Sequence, residues 1–267
     1  MNKHPNYPGY PREKFLSPTY VADFYKIAHK GMYPPGTEQV FSNLTPRSSR
    51  VEGQDYVIFY GLQYYVKRYL IEKWNRDFFN LPKKRAIPLY RRRISGAGLN
   101  GADEHLEALH DLGYLPIEIW ALPEGSKVPL GVPALVIWNT HPDFFWLTNF
   151  LETSLSQEVW GMITSATTAH RYRKIFMKWA KETGGSEEFV DWQGHDFSMR
   201  GMMGLDASMM SGSAHLLSFN GTDTIPAIDF LETWYNADCE EEIIGGSVPA
   251  TEHSVMSMGG KVGEIDV

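Results

Sequence analysis

Residues 184–234 read GGSEEFVDWQGHDFSMRGMMGLDASMMSGSAHLLSFNGTDTIPAIDFLETW, and the fold turns on how this stretch is parsed. Gly184-Gly185-Ser186 breaks the helical pattern before it. Beyond the break, Phe189-Val190-Asp191-Trp192 is strand-like, residues 201–211 are helical, Leu216 to Phe219 is strand-like and Ile225 to Trp234 is helical. Strand and helix in alternation predict parallel strands joined by helices, the start of an α/β layer or barrel. Such folds place their sites where strands end, and a polar cluster follows each of these strands.

Upstream the pattern is mixed. Helical spacing of apolar residues at Phe59, Leu62, Val66, Tyr69 and Leu70, at Leu106 and Leu109, and at Tyr172, Phe176 and Trp179 predicts three amphipathic helices. Pro142 suits the first turn of another, running through Trp146, Phe150 and Leu151 toward Trp160. Leu115 to Leu122 and Val128 to Trp138 flank Pro123-Glu124-Gly125-Ser126 and predict two strands around a turn. Pro5, Pro8, Pro11 and Pro18 predict an extended N-terminal arm, because proline fixes φ and lacks an N–H. The expected division is an α+β region over 1–183 and the first part of an α/β barrel over 184–267.

Composition narrows the class. The 267 residues carry 25 Lys+Arg and 32 Asp+Glu, a net charge of −7, which disfavours a protein that coats nucleic acid. With 43% hydrophobic residues the chain can bury a core, and no window approaches 18 consecutive apolar residues, so no membrane span is expected. Cys239 is the single cysteine, which excludes an intrachain disulfide and fits a reducing compartment. Met1-Asn2-Lys3-His4-Pro5 does not begin a secretion signal, so the expected location is cytoplasmic. The basic run Lys83, Lys84, Arg85, Arg91, Arg92, Arg93 reads as a solvated loop, Glu240-Glu241-Glu242 as a solvated helix end, and Met199, Met202, Met203, Met209 and Met210 as packing residues.

The familiar signals G-x-x-x-x-G-K-[ST], G-x-G-x-x-G, H-E-x-x-H and G-x-S-x-G are missing. Three clusters remain. In Gly194-His195-Asp196-Phe197-Ser198-Met199-Arg200-Gly201, an aromatic ring and a guanidinium beside glycines could stack on a flat heterocycle and bind phosphate; a core Phe and a surface Arg are the competing reading. In Asn220-Gly221-Thr222-Asp223-Thr224, Asp223 could equally cap a helix starting at Ile225. In Ser247-Val248-Pro249-Ala250-Thr251-Glu252-His253-Ser254, a Glu-His pair suits proton transfer or attack on phosphorus, against a purely structural histidine.

Taken in order, these clusters resemble the nicotinamide phosphoribosyltransferases. So do Asp23-Phe24-Tyr25-Lys26-Ile27-Ala28-His29 with Tyr33-Pro34-Pro35-Gly36-Thr37, Phe59-Tyr60-Gly61-Leu62-Gln63-Tyr64, Leu115-Pro116-Ile117-Glu118-Ile119, Pro123-Glu124-Gly125, Trp146-Leu147-Thr148-Asn149 and Ser213-Ala214-His215. The resemblance spans about residues 20–262 and implies a type II phosphoribosyltransferase fold that joins nicotinamide to phosphoribosyl pyrophosphate. It implies that Phe197 stacks on one face of the pyridine ring and Tyr25 of a partner subunit on the other, in a homodimer with shared sites. Asp223 would accept from the carboxamide NH₂, with Ser247 also on the substrate, while Arg200 and Arg47 would contact phosphate oxygens. Asp23 matches the family's acidic residue beside the tyrosine. His253, supported by Glu252, matches the histidine phosphorylated by ATP. Mg²⁺ would be held through substrate oxygens, with no dedicated protein ligand.

Family chains also carry a later Arg-Pro-Asp-Ser-Gly segment, a Gly-Asp-Gly segment and a Gly-rich loop for the amide, ribose and 5′-phosphate, and none occurs here. The expectation is an incomplete barrel, inactive alone: either the chain is a truncated fragment, or a complementary C-terminal chain supplies the rest. A nicotinate-using relative and a non-catalytic subunit are the alternatives; Asp223 disfavours the former because it would face a second carboxylate.

Overall fold

One helix organises the chain. In the computed structural model, which describes residues 16–99 and 103–260, α4 (Leu147–Thr183) runs unbroken for 37 residues, about 55 Å at 1.5 Å per residue. Its buried positions Leu147, Leu151, Leu155, Val159, Met162, Ala166 and Ala169 recur every three or four residues, with Phe150 beside Leu151, and face one core after another. Leu147 to Val159 pack with Phe59, Tyr65, Trp74, Phe78, Tyr90, Leu106 and Leu109. Met162 and Ala166 pack with Tyr60, Tyr64, Ala214 and Phe230; Ala169 and Ala180 pack with Val190 and Phe219. Side chains on this face shrink toward the C-terminus, which lets the next layer approach closely. The two helices expected around 142–160 and 172–179 are thus one, and Tyr172 and Trp179 lie exposed on it rather than forming a buried stripe. Pro142 opens a separate 3₁₀ turn, Pro142–Phe144. Gly184, at φ 73°, ends the helix in the left-handed conformation that glycine adopts without a Cβ penalty.

On one side of α4, β1 (Phe41–Leu44), β5 (Leu135–Asn139) and β3 (Ile117–Ala121) form an antiparallel sheet in the order β1-β5-β3. A two-stranded ladder pairs β2 (Tyr56–Ile58) with β4 (Lys127–Pro129). The segment Val128 to Trp138 is therefore two strands, not one, divided where Gly131 takes φ 81°, and its halves serve different sheets. Helix α1 (Leu62–Tyr64) continues as π-wound Tyr65–Lys73 and Asn75–Phe79, closing with Asn80 N–H on the Asn75 carbonyl at 2.8 Å.

The basic run is helical, not a loop: α2 (Lys83–Gly96) buries Ala86, Ile87, Tyr90 and Ile94. Arg91 clasps Asp103 at 2.7 and 3.0 Å, and Lys83 meets Asp111 at 2.6 Å, holding α2 to α3 (Glu104–Leu112). Pro18 belongs to a 3₁₀ turn, Pro18–Tyr20, rather than an extended arm; Pro5, Pro8 and Pro11 lie outside the described residues, as does the end from Gly263.

The second layer carries α5 (Val190–Gln193), β6 (His195–Asp196), α6 (Leu205–His215), β7 (Gly221–Thr222) and α7 (Ile225–Tyr235). β6 and β7 are parallel, and Gly221 bridges in parallel to Gly246, giving three adjacent parallel segments with helices between. The alternation holds, but the strands sit elsewhere. Residues 189–192 form a helical turn and 216–219 an irregular connection, and each strand begins two or three residues later at glycine-flanked positions. Of the methionines, Met209 and Met210 pack against the second core, while Met203 is almost fully exposed and Met199 partly so. Glu240, Glu241 and Glu242 are solvated, in a turn beyond α7 rather than at its end. Among the described residues, no helix is long and apolar enough to cross a membrane.

Candidate active site

The ends of the parallel segments are tied together by a buried carboxylate. Asp196 closes β6 and accepts from the Ser198 backbone N–H at 2.9 Å and the Thr224 hydroxyl at 2.7 Å, while its own carbonyl accepts the Asp223 N–H at 2.9 Å. Burial pushes the Asp196 carboxyl up, but the hydrogen bonds from Ser198 and Thr224 outweigh it and hold the group below the usual carboxylate range. Beneath it, His215 lies 3.1 Å from the Gly221 carbonyl and 3.3 Å from that of Gly194; carbonyls only accept, so its Nε2 carries the proton. Burial keeps this imidazole below its ordinary pKa against the opposing pull of Asp196. From α4, Arg173 donates to the Ser218 carbonyl at 2.6 Å and pairs with Asp191.

On this frame sit the site residues. Phe197 follows β6 and is 64% exposed, so the core reading fails for it. Its ring stacks on His195 with centroids 4.3 Å apart and planes at 29°. Asp223 follows β7. The N-cap of α7 is Thr224, not Asp223, and the Asp223 Oδ1 instead accepts from Ser247 Oγ and from His195 Nε2 at 2.8 Å. These two hydrogen bonds, with lesser help from the charge of Arg200, hold the Asp223 carboxyl below the usual range. Phe197, Arg200, Asp223 and Ser247 together line a cavity of 740 Å³ with Met199, Met202 and the start of α7. A second cavity of 590 Å³ shares Phe197 and His195 and runs against Thr164, Thr168 and Tyr172 of α4.

The remaining expected residues lie apart from these cavities. Asp23 accepts from Thr153 Oγ1 at 2.6 Å, and buried Lys26 donates to the Asn149 carbonyl and Oδ1 at 3.0 Å each and pairs with Glu152. These contacts dock the 3₁₀ helix Phe24–Met32 on α4 and leave Tyr25 62% exposed, edge-on to His29. Arg47 is exposed in the connection between β1 and β2. His253 opens α8 (His253–Met256) and is exposed; the Glu252 carboxylate accepts from Ser254 rather than holding the imidazole. Among the described residues, no group of three or more His, Cys, Asp or Glu could hold a metal. His195, which touches both Phe197 and Asp223, was not legible as a site residue, because its partner is 28 positions away.

Two family models match. Residues 18–95 match the N-terminal domain of nicotinamide phosphoribosyltransferase, and residues 192–267 match the nicotinate phosphoribosyltransferase family. A nicotinamide phosphoribosyltransferase of Acinetobacter baylyi is 48% identical over 258 residues, covering 94% of this chain and 50% of the relative. Over nearly all of its length the chain is thus similar to about half of a nicotinamide phosphoribosyltransferase. A nicotinamide phosphoribosyltransferase from Xanthomonas campestris is 32% identical over 91% of this chain and 49% of its own length, so the chain spans about half the length of these curated relatives. Solved structures give the fold. Human nicotinic acid phosphoribosyltransferase has a TM-score of 0.57 at 17% identity, over 88% of this chain and 40% of that one. Nicotinate-nucleotide pyrophosphorylase from Pyrococcus furiosus has a TM-score of 0.54 at 15% identity, over 97% and 48%. The fold is that of the type II phosphoribosyltransferases, α/β as expected.

Proposed function

We propose that this chain carries the pyridine-binding part of a nicotinamide phosphoribosyltransferase, which converts nicotinamide and phosphoribosyl pyrophosphate to nicotinamide mononucleotide and pyrophosphate. The observation that supports it best is the pairing of an exposed ring, Phe197, with an ionised acceptor, Asp223, on the rim of one cavity. A flat heterocycle stacked on Phe197 would set its carboxamide NH₂ against Asp223, with Ser247 beside it. Displacing pyrophosphate from the anomeric carbon develops oxocarbenium character on the sugar and negative charge on the leaving group, so orientation and electrostatics dominate. Arg200, beside Asp223, and Arg47 would meet phosphate oxygens of the substrate, which enters with its own Mg²⁺.

Tyr25, with Asp23 behind it, is held outward on a docked turn, which suits a ring that completes the site of a second subunit in a homodimer. His253, with Glu252 preceding it, would take phosphate from ATP to couple hydrolysis to turnover, in an enzyme working in the cytoplasm. We place the boundary of the α+β region at 183, where α4 ends at Gly184, with the barrel portion over 184–267.

A nicotinate-using enzyme is the second reading, favoured by the family model over 192–267. Asp223 argues against it, since a bound carboxylate would meet a fixed negative charge. The deciding experiment is synthesis of nicotinamide mononucleotide by residues 1–267 with and without a complementary C-terminal polypeptide. Turnover from nicotinamide only when both are present is expected. Turnover from nicotinate alone would favour the second reading, and none from either would refute both.

A further inference from the structure

We infer that His195 is a positioning residue that presets both halves of the pyridine site, the plane of Phe197 and the rotamer of Asp223. The inference rests on reading that cavity as a nicotinamide site. His195 is the first residue of β6, and its side chain is 19% exposed, so most of the ring is packed. One face lies on Phe197 and the Nε2 edge on Asp223 Oδ1, so a single ring fixes two groups 26 residues apart in sequence, positions 197 and 223. The backbone is shaped to admit it. A Cβ on Gly221, the strand neighbour, would lie 2.8 Å from His195 Nδ1 and 2.9 Å from the Gly194 carbonyl oxygen, too close for any residue but glycine.

The donors on Asp223 are distributed unevenly. A carboxylate only accepts, so Nε2 of His195 carries a proton, and Ser247 donates to the same oxygen. Oδ1 is thereby occupied twice, while Oδ2 has no donor among the described residues. A carboxamide NH₂ would supply the missing donor, and a carboxylate ligand would not. Stacking of the imidazole on one face of Phe197 leaves the other face for the ligand ring. His195 therefore influences ring affinity through Phe197 and amide preference through Asp223, and the two effects separate by substitution.

In His195→Phe the stack on Phe197 is kept and the hydrogen bond to Asp223 is lost. In His195→Gln an amide donor can still reach Asp223, but the ring is gone. Binding of nicotinamide and of nicotinate to the chain is measured by titration calorimetry, with circular dichroism to check folding. His195→Phe is expected to reduce the nicotinamide-to-nicotinate preference about tenfold, as loss of one charge-assisted hydrogen bond implies, with little loss of total ring affinity. His195→Gln is expected to weaken both ligands about threefold and keep their ratio. A merely structural role would not divide the two readouts between the variants. Wild-type binding with both variants unchanged, or with His195→Phe retaining the full preference, would overturn the inference while leaving the functional reading intact. Failure of the wild-type chain to bind either ring would overturn that reading and the inference with it.

Discussion

Replacing Asp196 by Asn tests whether the buried carboxylate holds the site's frame together. The residue is 7% exposed and its carboxylate accepts two good hydrogen bonds, from Ser198 N–H and Thr224 Oγ1; the Thr222 hydroxyl at 3.5 Å is too far to count. An Asn can keep the Ser198 N–H on its Oδ1, but its NH₂ then meets the Thr224 hydroxyl, which must turn from donating to accepting. Exchanging two hydrogen bonds to a charged acceptor for neutral ones should lower stability by about 1–2 kcal/mol. Urea unfolding followed by tryptophan fluorescence at neutral pH measures it. The same experiment repeated toward acid gives a second, sharper check. The carboxyl titrates lower in the folded chain than its ordinary value of about 4, so its contribution is whole above that pH and is lost as pH falls through the folded value. The gap between wild type and Asp196→Asn should therefore close at acid pH. A variant within about 0.5 kcal/mol of wild type at neutral pH, below the range expected for a buried charged acceptor, would refute the reasoning, as would a gap that widens in acid.

Other substitutions probe the site and its packing. Asp223→Asn should lower the preference for nicotinamide over nicotinate about tenfold, a modest figure because the carboxylate is partly exposed and water screens it; equal preference in wild type and variant, measured by competition binding, would remove Asp223 as the discriminator. Phe197→Ala should weaken nicotinamide about tenfold, since stacking adds to the area lost, and leave phosphoribosyl pyrophosphate affinity unchanged; parallel weakening of both would indicate a collapsed site. Gly212→Ala puts a Cβ 2.8 Å from that of Ala227 and 3.2 Å from Asp196 Oδ2, so α6 must move off α7. The expected loss is about 1–3 kcal/mol, and an unchanged melting temperature would show that the helices are not in close contact.

Legibility in the sequence followed the length of the signal. α7 and α3 were found where expected because their apolar residues recur at helical spacing and the elements are long enough to show it. α2 was hidden because six basic side chains outweigh Ala86, Ile87, Tyr90 and Ile94, yet those four are enough to bury a helix when Asp103 and Asp111 neutralise its polar face. α4 was divided because its middle, Ser165-Ala166-Thr167-Thr168-Ala169, lacks large apolar residues. In the fold those small side chains are what allow α6 to pack there, with Ser165 and Ser211 hydroxyls 3.0 Å apart. β6 and β7 have two residues each and no period to detect, whereas the apolar runs just before them carry the strand-like pattern.

The site was legible only through likeness, because each of its residues has a local alternative that tertiary structure cancels. Asp223 precedes a helix and is of a type that caps helices, so sequence alone favours the cap. Thr224 takes the cap position instead, its N–H bonded to Thr222 Oγ1 at 3.0 Å and its hydroxyl committed to Asp196. Asp196 in turn comes from the neighbouring strand, 28 residues earlier. That single cross-strand contact relieves Asp223 of any local duty, and its carboxylate is then claimed by His195 and Ser247 from the two flanking segments. A carboxylate kept ionised on a cavity rim, bonded among the described residues through one of its oxygens, follows from three strand ends meeting, and no window of sequence contains all three.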